Sequence, residues 1–379
     1  MISYRTFLKR FLLPFTLLAA TLAACAPATA LSITPTATPT NSPVPTGIMT
    51  VTPTPTLTPT PRTPPTLPVP YRNDGLTPYG SPHTYIPESC QYLQDKWSSA
   101  NSAPGTVVMA IMFHSITGGT VTSPDQISEY YFRNLMNTLH DKGFQAITTT
   151  QLLDFLGANT KIPERSVLLV VDDRKASGYY DTLFREYWDK WGWPVVNAWI
   201  SLDDSVTAQY LPGNIPLENE GWVDHQAHGY IHNIPIGPDS SEEYILGELQ
   251  KPIDFFQANF HKIPIAVIWP GGGFTPHAAE VARQLGYRLG FTINPRGPVM
   301  FNWVPLGDTL DPERPTWIPE GPVNDPLMVL PRYWDTDAII HIGDVIQVGQ
   351  EAAAYAEQNK ATELEYYDIV CAPQFGPIP

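Results

Sequence analysis

The residues able to do chemistry gather at a few points of the chain. Asp172-Asp173 is a carboxylate pair that directly follows the apolar run Val167–Val171. Carboxylates at the end of a buried strand are costly unless they are paired or bind a cation. Such a pair on its own most often caps a helix or makes a turn. His225, His228 and His232 fall within eight residues, in a chain with nine histidines. His228 and His232 are four apart, so they can share one face of a helical turn and chelate one ion. Two imidazoles and one carboxylate leave positions open for water and substrate, as in a catalytic rather than a structural metal site. His225 is a rival ligand. His114 and Pro270-Gly271 also follow apolar runs, Val107–Phe113 and Ile265–Trp269.

These residues need elements that bring them together. Val107–Phe113 is apolar throughout, as expected of a strand buried on both faces. Short strands are expected at 144–148, 167–171, 195–200, 222–225, 265–269, 288–292 and 328–330. Helices are expected at 123–142, 150–156, 182–191, 241–260 and 277–285, with a helix-like segment over 349–366 packed on the rest. Ser123 and Pro124 start the first helix, and Glu242 and Glu243 suit the first turn of the fourth. Strands alternating with amphipathic helices predict a mainly parallel α/β sheet. About seven such units predict a deformed (β/α)7-type barrel, whose chemistry sits at the carboxyl ends of the strands. Four of the predicted strand ends carry the polar residues named above.

The first seventy residues are built differently. Arg5, Lys9 and Arg10 precede an apolar run from Phe11 to Ala24, then Cys25. That run is too short to span a bilayer and has the form of a secretory signal. Leu22-Ala23-Ala24-Cys25 looks like the lipobox of bacterial lipoproteins, which implies cleavage before Cys25 and its lipidation. Residues 26–70 hold 13 prolines and 14 threonines in 45 positions. Such a stretch cannot offset its ordering entropy and is expected to be an extended, disordered spacer. The expected organisation is a signal over 1–24, a lipidated linker over 25–70, an N-terminal extension over 71–104 and the barrel over 105–379. The 379 residues carry 37 acidic and 22 basic side chains, net −15. All of the acid lies beyond residue 70, so residues 71–379 carry a net −19. That excludes nucleic acid as a natural partner. Cys90 and Cys371 remain as an even pair in an exported chain and are expected to form a disulfide, with two buried thiols as the alternative.

The order of motifs carries a family resemblance. MFHSI (112–116), FRNLMNTLHDKGFQAITTTQLLDFL (132–156), VLLVVDDRKASGYY (167–180), HGYIH (228–232), WPGGG (269–273) and LPRY (330–333) together resemble the polysaccharide deacetylases. These form the NodB-homology group, carbohydrate esterase family 4. The nearest look is to its circularly permuted branch, which includes poly-N-acetylglucosamine deacetylases. The resemblance covers about 105–335. It implies Asp172 as general base, with Asp173, His228 and His232 as metal ligands. It implies His114 as general acid, Pro270-Gly271 beside Trp269 as the oxyanion and substrate loop, and Arg332 as the group that orients the base. Zinc is the implied metal, with nickel, cobalt or iron as alternatives.

Three departures bear on activity. Arg174 stands where the family usually has glycine, and a long cation there is expected beside the site. Gly229 replaces the usual serine or threonine. Trp269-Pro270-Gly271-Gly272-Gly273 lacks the usual tyrosine, so a wall of the sugar pocket is expected to be missing. Trp303 and Trp317, in the proline-rich stretch 301–326, are candidates for stacking on sugars. Asp335, Asp337 and His341 are expected in a solvated segment rather than at a second metal. The expected function is a lipid-anchored, extracytoplasmic, metal-dependent hydrolase that removes N-acetyl groups from a glycan. The lipid anchor is the only expected membrane contact. A non-catalytic glycan-binding lipoprotein and an amidase on a non-sugar acyl amide are the alternatives.

Overall fold

Apolar runs that alternate between two cores account for the central sheet. The computed structural model describes residues 62–73, 80–232 and 234–379. The expected signal and Cys25 lie outside them, as does most of the proline- and threonine-rich linker. In chain order come β1 (Gly80–His83), α1 (Ser89–Trp97), β2 (Val107–Phe113), β3 (Ser115–Thr117) and β4 (Gln126–Ser128). Next are α2 (Glu129–Asp141), β5 (Gln145–Ala146), α3 (Thr149–Ala158), β6 (Arg165–Val171), α4 (Ser177–Leu183) and α5 (Arg185–Trp191). Then follow β7 (Val195–Trp199), α6 (Ser205–Glu220), β8 (Val223–Ala227), α7 (Glu242–Asn259), β9 (Ala266–Ile268) and α8 (Pro276–Gln284). The chain finishes with β10 (Leu289–Phe291), β11 (Val304–Gly307), β12 (Tyr333–Trp334) and α9 (Ala338–Tyr366), before two short helical turns.

The main sheet runs β10-β9-β8-β7-β6-β2-β12, every pair parallel, with β5 also on β6. Alternate residues of β2 and β6 serve different cores. Val108, Ala110, Leu168 and Val170 pack in one, and Val107, Met109, Ile111, Val167 and Leu169 in the other. That is why both strands read as unbroken apolar runs. The sheet curls until one segment reaches both of its edges. Leu330 N–H donates to Gly290 O (2.7 Å) and Leu330 O accepts from Thr292 N–H (2.9 Å). Three residues on, Tyr333 and Trp334 pair with Ile111 and Met112 of β2. The architecture is an α/β curled parallel sheet, consistent with the deformed barrel expected.

Several elements differ from expectation for identifiable reasons. The helix expected from Ser123 starts at Glu129, because 126–128 pair with 115–117 and Ser128 then caps α2. The helix expected over 182–191 is two helices, broken at buried Phe184 (φ −110°, ψ −25°). The strand expected at 328–330 is a single bridge at Leu330, and the true strand lies at 333–334. Helix α6 was not expected, since Pro212 and Pro216 lie inside it. Asp204 caps its start and left-handed Gly221 ends it. Helix α9 begins eleven residues earlier than the helix-like segment expected from Gly349.

Residues 71–104 join the domain. β1 pairs antiparallel with β11, and the Cys90–Cys371 disulfide ties α1 to the chain beyond α9. Residues expected to end the linker also touch the domain. Leu67 packs on the cluster around Cys90 and Cys371, and Tyr355 Oη donates to Val69 O (2.8 Å). Helix α9 crosses close to the start of β2. A Cβ on Gly105, at φ +89°, would lie 2.4 Å from Gly349 O. Among the described residues no helix is long and apolar enough to cross a membrane.

The bridge closes a span of 281 residues. Replacing Cys90 and Cys371 by serine is expected to cost about 2–5 kcal/mol, read as a lower urea midpoint. An unchanged midpoint would show that the bridge adds nothing.

Candidate functional site

The site forms where strands end. His114 follows β2, Asp172 and Asp173 follow β6, His228 follows β8, and Pro270-Gly271 follow β9 within one residue. Arg332 comes from the segment that joins the two sheet edges.

Asp172 and Arg332 are both buried and form a bidentate pair, Nη1–Oδ1 at 2.5 Å and Nη2–Oδ2 at 2.9 Å. Arg332 is itself fixed, its Nε donating to Thr292 O (2.8 Å). Burial pushes the Asp172 carboxyl up. Arg332, with smaller help from His228 and His114, pushes it further down, so it ends well below the usual carboxylate range. His114 Nε2 lies 3.6 Å from Asp172 Oδ2, and its ring stacks on Trp334 with centroids 5.4 Å apart.

Asp173, His228 and His232 converge next to this pair. Their donor atoms lie within 4.8 Å of one another. His228 Nε2 and His232 Nε2 stand 4.0 and 3.9 Å from Asp173 Oδ1, spacings that one ion can bridge. His228 Nδ1 meets Ile268 O at 2.8 Å, so that nitrogen carries the proton and Nε2 keeps its lone pair. Burial pushes the His228 imidazole well below its ordinary value, which keeps it neutral, as a metal ligand must be. Asp173 and His232 sit at φ +59° and +60°, a region that ordinary side chains avoid and that functional sites retain. The donor set fits a divalent ion such as zinc.

Comparison with known proteins gives the following similarities. No family model matches the chain. The YxkH protein of Bacillus subtilis (strain 168), assigned by name to the polysaccharide deacetylases, is 22% identical over 187 residues. The match covers 49% of this chain and 64% of that protein, just under two thirds of its length. Among solved structures, IcaB from Ammonifex degensii is 15% identical with a TM-score of 0.49, covering 65% of this chain and 100% of that one. The Streptococcus pyogenes deacetylase PplD in complex with acetate is 18% identical with a TM-score of 0.47, covering 61% and 93%. The deacetylase domain of BpsB from Bordetella bronchiseptica is 16% identical with a TM-score of 0.45, covering 61% and 96%.

The chain is similar to NodB-type polysaccharide deacetylases. Against the residues implied by that deacetylase pattern, the structure makes several corrections. His228 and His232 do not share a helical turn. They lie on a loop that Gly229, at φ +74°, turns back on itself. His225 is not a ligand of the triad: it is buried on the helix side of β8, with its ring nitrogens on Glu218 (2.8 Å) and Asn214 (3.0 Å). Trp269, which the resemblance placed in the oxyanion and substrate loop, faces the core instead. Its indole is fully buried and donates to Met328 O (2.7 Å). Pro270 is buried, and Gly271 makes a left-handed turn at φ +55° whose N–H closes no hydrogen bond among the described residues. Arg174 is not beside the carboxylates. It turns to Leu202 O (3.0 Å) and Asp204 (2.6 Å), where it braces the start of α6.

Three residues near the site were not expected there. Trp334 supplies the aromatic face on His114 and donates to Ile293 O (3.0 Å). Lys175 brings its ammonium to 3.8 Å from Asp173 Oδ2. Asp335, expected in solvent, is fully buried, and no second metal cluster forms with Asp337 and His341 among the described residues. Burial pushes the Asp335 carboxyl up to about 7, and Asp172 and Asp125 add to the rise. Trp334 and Asp335 directly follow the LPRY motif, and that adjacency is the sequence signal that could have placed them at the site.

Removing Arg332 strands a buried carboxylate. Arg332→Gln is expected to cost about 3–5 kcal/mol of stability at pH 7. The folded Asp172 has a depressed pKa. The pair's contribution is therefore present above the unfolded value of about 3.9 and is lost as pH falls toward the folded value. Urea midpoints of the two proteins should differ most near pH 7 and draw together on acidification. A constant gap down to pH 3 would refute the pairing account.

Proposed function

We propose that the protein is a metal-dependent hydrolase that removes N-acetyl groups from an extracytoplasmic polysaccharide. One observation carries the reading: a fit ligand set, Asp173, His228 and His232, stands beside a second carboxylate locked by Arg332. A bound divalent ion would supply a Lewis acid for the acetamide carbonyl and the attacking water. Asp172 accepts the water's proton, and Arg332 holds the carboxylate in place for it. The N–H of Gly271 donates to the oxyanion as negative charge develops. His114, whose Nε2 stands 3.6 Å from Asp172 Oδ2, gives a proton to the leaving nitrogen as the C–N bond breaks. Acetate and a free amine on the sugar result. The acidic domain tolerates that amine, since a product cation meets a net negative surface.

A cation at position 174 crowding the site would favour the non-catalytic alternative, but Arg174 pairs with Asp204. The anchoring part of the proposal rests on the sequence around Cys25. Lipidation there would hold the domain at a membrane outside the cytoplasm, with the proline-rich linker as tether. Cys25→Ala is then expected to move the protein from the membrane fraction to the soluble one.

Acetate release from chitin oligomers or poly-N-acetylglucosamine tests the chemistry. The purified protein should contain about one metal ion per chain and lose activity on chelation. Asp172→Asn should lower acetate release by at least about 10²-fold, the lower range for a positioned base. Undiminished release would sink the mechanism. Bound glycan without acetate would favour a binding protein, and activity on simple amides alone would favour a non-sugar amidase.

A further inference from the structure

One carboxylate outside the triad holds the loop that carries two of its ligands. Glu248 of α7 accepts from three consecutive backbone N–H groups: Tyr230 (3.0 Å), Ile231 (2.8 Å) and His232 (3.2 Å). Its side chain is buried, and among the described residues no cation pairs with it. The three N–H groups therefore carry its charge, as in a backbone nest around an anion. The loop is wedged tightly from two sides. A Cβ on Gly229 would meet Glu248 Oε2 at 2.5 Å and Pro270 Cγ at 2.7 Å. His232 needs such support, because its left-handed backbone costs energy that the surroundings must offset.

We infer that Glu248 is a positioning residue for the metal site. It fixes the backbone of His232 and its neighbours so that His228 and His232 face Asp173 together. This rests on the reading of that triad as a metal centre. Glu248 touches neither the ion nor substrate and acts through the loop alone. Groups that orient ligands in this way typically change metal affinity by 10–100-fold when removed.

The test compares zinc affinity, by competition with a chromogenic chelator, and the visible spectrum of the cobalt-loaded protein. Glu248→Gln leaves one acceptor oxygen and turns an amide donor toward N–H groups. It is expected to weaken zinc binding about 10–100-fold and to shift the cobalt bands. Ile253→Ala, on the same helix and also buried, is the control for lost stability. It is expected to lower the unfolding midpoint while leaving zinc affinity and the cobalt spectrum as in the wild type. Wild-type affinity in Glu248→Gln would overturn the inference and leave the deacetylase reading standing. Equal loss in Ile253→Ala would also overturn it, because the effect would then be general destabilisation. A wild-type protein that binds no zinc would overturn both.

Discussion

The buried pair of Asp172 and Arg332 is the constraint on which the rest of the structure turns. Taking two charges out of water is costly, and only close geometry with further hydrogen bonds repays it. Here both conditions hold, through two short contacts and the Thr292 carbonyl behind the guanidinium. The two residues come from distant parts of the chain. Asp172 ends β6 in the middle of the sheet, and Arg332 lies between Leu330 on β10 and Tyr333 on β2. Closure of the sheet and neutralisation of the buried Asp172 carboxylate are thus one event. A sheet that failed to bring its edges to the 330–334 segment would leave Asp172 charged and alone in the core.

That pairing also divides labour between adjacent carboxylates. Asp172 faces inward to Arg332, while Asp173 takes a left-handed backbone and presents its oxygens to the histidines. Strand alternation alone would send neighbours to opposite faces. The left-handed residue places both at the same strand end with different partners. At the site, two of the three converging ligands, Asp173 and His232, take the left-handed backbone, while Asp172 and His228 are held by direct hydrogen bonds.

The sheet and the cluster of candidate ligands were legible because they depend on local signals, while the choice among the histidines rested on the family resemblance. Doubly buried strands show as apolar runs, and the polar residues that end them stand out against those runs. What was illegible depended on contacts distant in sequence. Nothing local tells that Arg174 turns away to Asp204, or that Trp269 points down into the core to Met328 O. His225 and His228 look alike in sequence, yet three residues along a strand place them on opposite faces. Helix α6 runs against its local signals, because two prolines inside it argue against a helix and only the Asp204 cap favours one. Asp335 follows the LPRY motif by two residues, and the β12–β2 pairing brings it under the site.

The charge left over defines what the site can hold. Asp172 is compensated by Arg332, and His228 is kept neutral by burial. Asp173 is then the one carboxylate of the triad, and the Lys175 ammonium stands 3.8 Å from its Oδ2. A divalent ion on one carboxylate and two neutral imidazoles would keep a net positive charge. Such an ion remains a strong Lewis acid, whereas a second free carboxylate would quench it. By pairing one of two neighbouring carboxylates with Arg332, the fold leaves Asp173 as the carboxylate that faces the histidines. Under the proposed mechanism, that would keep a bound ion electron-poor enough to polarise an amide, the least electrophilic of common acyl groups.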